Sequence, residues 1–307
     1  MTQTIKIGTR GSQLALWQAE YVKKCLHSRF PHLEISLQII KTTGDKIQNR
    51  SLIGLGKGVF TREIELALLD GTVDLAVHSM KDLPTKLPDG LCIGALPSRG
   101  DPRDVLVSAS GSTLEELPER AQIGTTSPRR RAQLSFLRPD LTVVETRGNL
   151  DTRLRKLRET DLDGLILAAA GIKRLVGEET ITEYFEVDKM VPAPGQGALG
   201  IEIRENDREM RKFLRPINDG DTELAVAAER AVLSGLGGGC QVPIGVYALI
   251  KDGDLAIVAM VADYNGKRRV VAEERGAPKQ AAHIAERLTA SLLSQGAREL
   301  LSEGDNE

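Results

Sequence analysis

The chain has 307 residues, 41% apolar and 27% charged, a length that calls for two or three hydrophobic cores. Lys and Arg number 41 against 43 Asp and Glu, and the formal net charge of -2 excludes both a generally basic nucleic-acid coat and a polyacidic tail protein. Aromatic residues at 3% argue against a base-stacking platform, and no run approaches the roughly 20 apolar residues of a membrane span.

In chain order, 5–9 reads as a short strand ending in Arg10-Gly11-Ser12, and Ala15, Ala19, Val22 and Leu26 recur at helical spacing over 12–29. Leu33, Ile35, Leu37 and Ile39 alternate as a strand. Residues 43–60 carry Gly44, Gly54, Gly56 and Gly58, too much glycine for a regular element, and predict a long functional loop. Thr61 is expected to cap a helix through Leu69, and 73–77 is a strand ending in His78-Ser79-Met80-Lys81-Asp82. Strands at 104–108, 122–125, 142–145 and 164–168 then alternate with helices at 127–137 and 149–159, so both runs predict α/β domains with mostly parallel sheets. Residues 190–200 (MVPAPGQGALG) read as a crossing between domains, followed by a strand at 199–203 and a helix at 221–234. Strands at 245–250, 255–261 and 268–274 come without helices and precede one long helix over 278–301, the pattern of an α+β module. No internal sequence repeat is visible. Three domains are expected.

The N-terminus enters strand pattern without a charged start and apolar signal core, which predicts a soluble cytoplasmic protein. Three scattered cysteines, Cys25, Cys92 and Cys240, make neither a disulfide framework nor a zinc cluster, and four scattered histidines point to no metal site. Cys25 and Cys92 read as small buried hydrophobes. Cys240 follows Gly237-Gly238-Gly239, so its thiol is open either to a covalent role or to nothing more than a flexible hinge. The segment 54–58 (GLGKG) looks like a phosphate loop but has the wrong spacing and no hydroxyl after its lysine.

Arginine outnumbers lysine 26 to 15, and 129–158 holds nine basic residues against Asp140, Glu145 and Asp151, a local net of +6. Guanidinium forks match carboxylates and phosphates, so this segregation predicts a polyanionic ligand. Ser127-Pro128 opens a helix at Arg129 and Arg130, and Asn149 opens another after Arg147-Gly148. Arg129, Arg130, Arg147 and Arg153 follow strand ends, where open α/β sheets bind ligands, whereas Arg131, Arg155 and Arg158 fit a solvated helix face equally well. Arg10-Gly11-Ser12 repeats the arrangement in the first domain and suggests two lobes lining one cleft. Asp82 is a candidate acid, base or cation stabiliser, its alternative being a Lys81–Asp82 pair that fixes the turn before Pro84. His78 is expected to be a packed strand-end residue.

Read together, 9–16 (TRGSQLAL), 56–60 (GKGVF), 78–84 (HSMKDLP), Arg129-Arg130, Arg147-Gly148-Asn149, 195–198 (GQGA) and 238–245 (GGCQVPIG) resemble one family, the porphobilinogen deaminases or hydroxymethylbilane synthases. These motifs run in the family's order over nearly the whole chain.

The resemblance implies two periplasmic-binding-protein-like α/β domains around a cleft and a small α+β C-terminal domain, an antiparallel sheet with a helix. Their spans would be 1–97 with 198–216, then 98–197, then 217–307. It implies a transferase that joins four porphobilinogen molecules head to tail into hydroxymethylbilane with loss of ammonia, working on a dipyrromethane cofactor. Cys240 matches the cysteine that carries this cofactor as a thioether, and Asp82 the catalytic aspartate. Arg10, Ser12 and Gln18, with Arg147 and Arg153, match substrate-side positions. Lys81, Asp82, Ser127, Arg129, Arg130, Arg147, Arg153, Arg174 and Gln196 match positions that hold the cofactor and growing chain. A cytoplasmic monomer is implied, with no nucleic-acid or membrane partner and no metal.

Two residues depart from the family pattern: Pro128 where leucine is common, and Gly237 where many members carry glutamate. The 43–60 loop would cover the site, with Lys57 and Phe60 facing it. A non-catalytic anion-binding protein and a nucleic-acid binder are the competing classes. The first leaves Cys240 and the third domain unexplained, and the second lacks aromatic interleaving.

Overall fold

The computed structural model describes residues 4–46, 58–238 and 242–302. In chain order the first elements are β1 (Thr4–Thr9), α1 (Gln13–Arg29), β2 (Glu34–Ile39), α2 (Thr43–Lys46), α3 (Arg62–Leu69), β3 (Leu75–Ser79) and β4 (Leu91–Ala95). Next come β5 (Asp104–Ser108), β6 (Gln122–Gly124), α4 (Pro128–Leu137), β7 (Thr142–Val144), α5 (Leu150–Glu159), β8 (Gly164–Ala168), α6 (Ala169–Leu175) and β9 (Glu183–Phe185). The last are β10 (Leu199–Arg204), α7 (Arg208–Leu214), α8 (Gly220–Gly235), β11 (Ile244–Lys251), β12 (Asp254–Ala262), β13 (Arg269–Gly276), α9 (Ala281–Ser294) and α10 (Ala297–Ser302). The chain divides into two compact units, Met1–Arg99 with Ala198–Glu223, and Gly100–Gly197 with Leu224–Glu307.

The first unit is built on a sheet of order β2-β1-β3-β10-β4, and the second holds a sheet of order β7-β6-β8-β5-β9. In the first, β10 runs antiparallel to both its neighbours, and in the second β5 does the same. The two sheets therefore share one plan, a reversed strand set fourth among parallel ones. The reversed strand comes last in the chain for the first sheet and first for the second. No sequence repeat announces this, because the shared plan constrains burial and direction rather than residue identity. The mostly parallel α/β sheets read from the sequence are found, with one reversed strand in each.

Both faces of each sheet are covered, which is why their strands read as nearly continuous apolar runs. Ile5, Ile7, Val77, Ile201 and Ile203 pack against Val22 and Leu26 of α1, while Ala76 on the other face meets Ile64 and Leu68 of α3. In the second sheet Val105, Val107, Leu165 and Leu167 pack against Leu154 and Leu157 of α5. Leu106, Ile123 and Ile166 point the other way, onto Leu134 of α4. The antiparallel sheet β11-β12-β13 forms a further core with α8, α9 and α10 around Val232, Val246, Ile257, Leu288 and Leu292. The α+β module expected at the C-terminus is thus present.

Several expectations are corrected. The long C-terminal helix is broken: Pro278–Gln280 is a 3-10 turn, α9 stops at Ser294, and Gly296 takes a φ of +92° before α10. Thr61 stands at the start of α3 without a side-chain capping bond. The predicted 43–60 loop begins as the short helix α2, while Lys57 lies outside the described residues. Cys25 and Cys92 are half-buried rather than buried. The elements α2, α6, α7 and β9 were not read from the sequence, being only three to seven residues long by their spans.

Two glycines decide how the C-terminal module meets its surroundings. After α8, Gly237 N–H donates to Ser234 O at 3.0 Å and Gly238 N–H to Leu233 O at 3.0 Å, with Gly237 at φ +69°. This is a Schellman cap, whose left-handed position favours glycine and accounts for the departure from glutamate at Gly237. Gly266, at φ +65° in the β12–β13 turn, lies so close to α4 that a Cβ there would sit 2.8 Å from Ala132 O and 2.7 Å from Ser135 Cβ. Beside it, Arg269 stacks over the Phe136 ring at 4.7 Å from its centroid.

Candidate functional site

In the first unit, β1 delivers Arg10 and Ser12 to the start of α1, where Ser12 Oγ accepts from Ala15 N at 3.3 Å and caps the helix. Arg10 does not stand open. Its Nη2 donates to Asp45 Oδ1 at 2.5 Å, its Nε to the same oxygen at 3.2 Å, and the Phe60 ring lies under it at 4.3 Å. Burial works against ionisation of Asp45, but bonds from Arg10 and Thr42 outweigh it and hold the carboxyl below its ordinary range. The two ends of the 43–60 segment, Asp45 and Phe60, therefore meet on Arg10, which matches a substrate-side position by resemblance.

The strand β3 carries the second group. His78 is buried and its Nε2 faces Oε2 of Glu202, on the neighbouring strand β10, at 3.0 Å. Gln18, also buried, donates from Nε2 to Ser79 Oγ at 2.8 Å, so this side chain is a brace inside the unit. Met80 N–H donates to Ala198 O at 3.1 Å, and Met80–Asp82 forms a single 3-10 turn. Leu83 is buried, Lys81 half-buried and Asp82 exposed. A rigid sheet thus ends in a carboxylate presented to solvent, with a lysine before it.

In the second unit, Ser127 caps α4, accepting from Arg130 N at 3.4 Å, with Pro128 at the first helical position as expected. Arg129 and Arg130 are buried and converge on Asp104 of β5, which is fully buried. Arg129 Nη1 donates to Asp104 Oδ2 at 2.6 Å and to Val191 O at 2.7 Å. Arg130 reaches Asp104 Oδ1 from Nη2 at 2.7 Å and from Nε at 3.0 Å, and its Nη1 donates to Ile166 O at 3.0 Å. Gln196 Nε2 completes the cluster, donating to Asp104 Oδ1 at 2.9 Å and Pro102 O at 2.8 Å. Burial opposes the charge on Asp104, but the two guanidiniums override it and hold the carboxyl far below its usual range. The adjacent Arg174 donates from Nη2 to Gly197 O at 2.8 Å.

The structure brings Arg129, Arg130 and Gln196 together, on an internal carboxylate that the sequence reading missed. An acid opening an otherwise apolar strand (Asp104-Val105-Leu106-Val107) was the available signal, and Glu202 within Leu199-Gly200-Ile201-Glu202-Ile203 was the same signal in β10. Arg147 forms a fork with Glu145, and its carbonyl accepts from Lys156 Nζ at 3.1 Å. Asn149 starts α5 without a side-chain capping bond, and Arg153 lies half-buried in its first turn. Arg131, Arg155 and Arg158 are exposed, and Arg155 pairs with Glu159 at 3.8 Å, as a solvated face would have it. Cys240 lies outside the described residues.

Cationic groups, hydroxyl caps and one exposed carboxylate are the donors and acceptor that a carboxylate-bearing, N–H-bearing ligand requires. Residues 5–212 match the family model described as porphobilinogen deaminase, dipyromethane cofactor binding domain, and 223–294 match porphobilinogen deaminase, C-terminal domain. A porphobilinogen deaminase of Syntrophomonas wolfei is 49% identical over 302 residues, covering 98% of this chain and 99% of the relative. One from Syntrophobacter fumaroxidans is 49% identical, with 98% of both chains covered. One from Chlorobaculum parvum is 47% identical over 307 residues, covering 99% of this chain and 98% of the relative. The chain belongs to the porphobilinogen deaminase family.

Proposed function

We infer that this chain is a hydroxymethylbilane synthase, a transferase that deaminates four porphobilinogen molecules and joins them head to tail for tetrapyrrole biosynthesis. The match to both family models along nearly the whole chain carries this reading. Its dipyrromethane cofactor, held as a thioether on Cys240, supplies a terminal pyrrole α-carbon as the nucleophile. The donor set suits such a group: Arg129 Nε is buried without a hydrogen-bond partner among the described residues, beside the hydroxyl cap of Ser127. Lys81, Ser127, Arg129, Arg130, Arg147, Arg153, Arg174 and Gln196 would hold its carboxylates and those of the chain. Arg10, Ser12 and Gln18, with Arg147 and Arg153, would serve the incoming substrate, Gln18 acting through Ser79.

Guanidinium groups fit this work because each added unit brings an acetate and a propionate, and arginine need not change protonation as charge accumulates. Loss of ammonia from porphobilinogen leaves a cation delocalised over the pyrrole, and attack at its methylene carbon is followed by loss of a proton. Asp82, exposed at the end of a braced turn, accepts pyrrole N–H bonds, stabilises that cation and can take up the proton. Arg10 must exchange its internal partner Asp45 for a substrate carboxylate.

The working division is 1–97 with 198–216 for the catalytic aspartate, 98–197 for the arginines, and 217–307 for the cysteine. The enzyme is read as a cytoplasmic monomer with neither nucleic acid nor membrane as partner; no helix among the described residues is long and apolar enough to cross a membrane.

Intact-mass measurement tests the reading. The wild-type protein should weigh more than its polypeptide and gain mass stepwise with porphobilinogen, and Cys240→Ala should lose the excess. An unchanged excess in that variant would refute the attachment site. Asp82→Asn should keep the cofactor and lose turnover by roughly 10²–10³-fold, as for removal of a transition-state charge partner. Near-normal single-turnover rates in it would remove Asp82 from the mechanism.

A further inference from the structure

Four residues before Asp82 lies a buried contact between two titratable side chains that the reaction does not use. His78 and Glu202 have side chains only 4% and 0% exposed and meet at 3.0 Å. The geometry is a close approach of imidazole and carboxyl rather than an aligned hydrogen bond, and neither carboxyl oxygen of Glu202 accepts an aligned bond among the described residues. A second buried acid, Glu65 of α3, faces the same pair. Isolated carboxylates are costly in an apolar interior, and such a pair adds little net stability. A chain selected only for folding would fill this space with apolar groups.

The position of the contact gives it a use. His78, Ser79 and Met80 are consecutive, and each is fixed by a different element: His78 by Glu202 of β10, Ser79 by Gln18 of α1, and Met80 by Ala198 O. In the β3–β10 register Gly200 lies opposite His78, and a Cβ there would come within 2.3 Å of Met80 Sδ, so the thioether occupies the space glycine leaves. Ser79 and Lys81 are half-buried, and Asp82 is the first exposed residue of the run. The register of β3 against β10, set by these contacts, therefore sets where the Asp82 carboxylate sits.

We propose that His78 and Glu202 are positioning residues for the reaction: their buried contact locks the end of β3 and holds Asp82 in its productive place. This rests on the reading of Asp82 given above. The contact acts on a group that meets charge in the transition state, so its loss should appear in kcat and leave KM nearly alone. Removing the buried carboxylate, alone or with its partner, should not lower Tm, whereas removing His78 alone strands Glu202 and should lower it.

The test uses the full-length, cofactor-loaded enzyme with porphobilinogen, comparing wild type, Glu202→Gln, His78→Gln and the double variant. Cofactor loading is checked by intact mass and folding by thermal unfolding. Each single variant should lose kcat about tenfold with KM within about twofold; Tm should be unchanged or raised in Glu202→Gln and lowered in His78→Gln, where Glu202 is left buried without the imidazole. The double variant should be no slower than either single one, since both remove the same contact. Unchanged kcat in Glu202→Gln, losses that multiply in the double variant, or a kcat in Glu202→Gln that falls only in step with Tm would each overturn the proposal. Wild-type turnover in the same assay separates these outcomes from a failure of the functional reading, which would leave the wild type itself unable to convert porphobilinogen.

Discussion

The two five-stranded sheets of this chain are built to one plan and use it in opposite ways. Each places a reversed strand fourth in the order, and each reversed strand carries a fully buried acid, Glu202 on β10 and Asp104 on β5. Asp104 is met by two guanidiniums and a side-chain amide, all within hydrogen-bonding distance. Glu202 has one imidazole, in a contact without aligned bonds. In the first both carboxylate oxygens are satisfied and α4 is tied to its sheet; the second is an offset held just before Asp82, the carboxylate proposed for catalysis. Topology makes the place where an acid can be buried, and the side chains opposite decide whether it becomes a joint or an anchor.

The sharpest way to break this contrast is Asp104→Asn. It leaves two buried guanidiniums facing no charge, and chemical denaturation should show a loss of about 3–5 kcal/mol at neutral pH. The carboxyl is held far below its usual range, so it contributes stability above the unfolded carboxylate pKa and loses it only as pH falls through the lower folded value. The gap between wild type and variant should therefore persist through mild acid and close only below the ordinary carboxylate range. A gap that closed near pH 5 would show that the network is not holding the charge.

A smaller effect is expected from Gly266→Val, which tests whether α4 also depends on the antiparallel sheet behind it. The substituent meets Ala132 and Ser135 at a left-handed backbone position, and overpacking of this kind costs about 1–3 kcal/mol. Unfolding should show that loss and cofactor loading should fall along with stability; unchanged unfolding would show that the turn does not prop α4.

The smallest change is expected in the first unit, from Glu65→Gln. Burial raises the Glu65 carboxyl, with Glu202 nearby adding to the effect, so its ionised form is penalised in the folded state. Removing the charge should stabilise the protein at pH 7 by no more than about 1 kcal/mol. The advantage should shrink as pH falls and the wild-type carboxyl takes up its proton, because the folded state binds that proton more tightly than the unfolded one. Destabilisation at pH 7 would mean that the negative charge there is an asset, and the contrast between the sheets would narrow.

Much of the site was legible before any coordinates. Ser12 and Ser127 cap the helices they were expected to cap, because a hydroxyl before a helical run has a local use that needs no distant partner. His78 is the packed strand-end histidine it was read to be. The arginines were found by composition, and the window of +6 resolves into buried Arg129 and Arg130 and exposed Arg131, Arg155 and Arg158. Helical spacing could not make that division for neighbours such as Arg130 and Arg131, since burial depends on which helix face meets β5.

The partners were not legible. Asp45 on Arg10, Asp104 on Arg129 and Arg130, and Glu202 on His78 lie 35, 25, 26 and 124 positions away in the chain by their numbers. An apolar strand around Asp104 and Glu202 signals their burial but not which residue each one meets, and nothing local marks Asp45.

What the sequence determined by itself is therefore local and compositional: alternating strand and helix, caps, an arginine-rich window, a cysteine that follows three glycines, and motifs specific enough to indicate the family. What the tertiary structure decided is pairing: the reversed strand in each sheet, the Schellman turn that favours glycine at Gly237, and the carboxylates that meet His78 and the two buried arginines. The division has a physical cause. Propensity and capping act between residues a few positions apart, whereas neutralising a buried charge requires whichever opposite charge the fold brings within about 3 Å, and sequence separation carries no record of that.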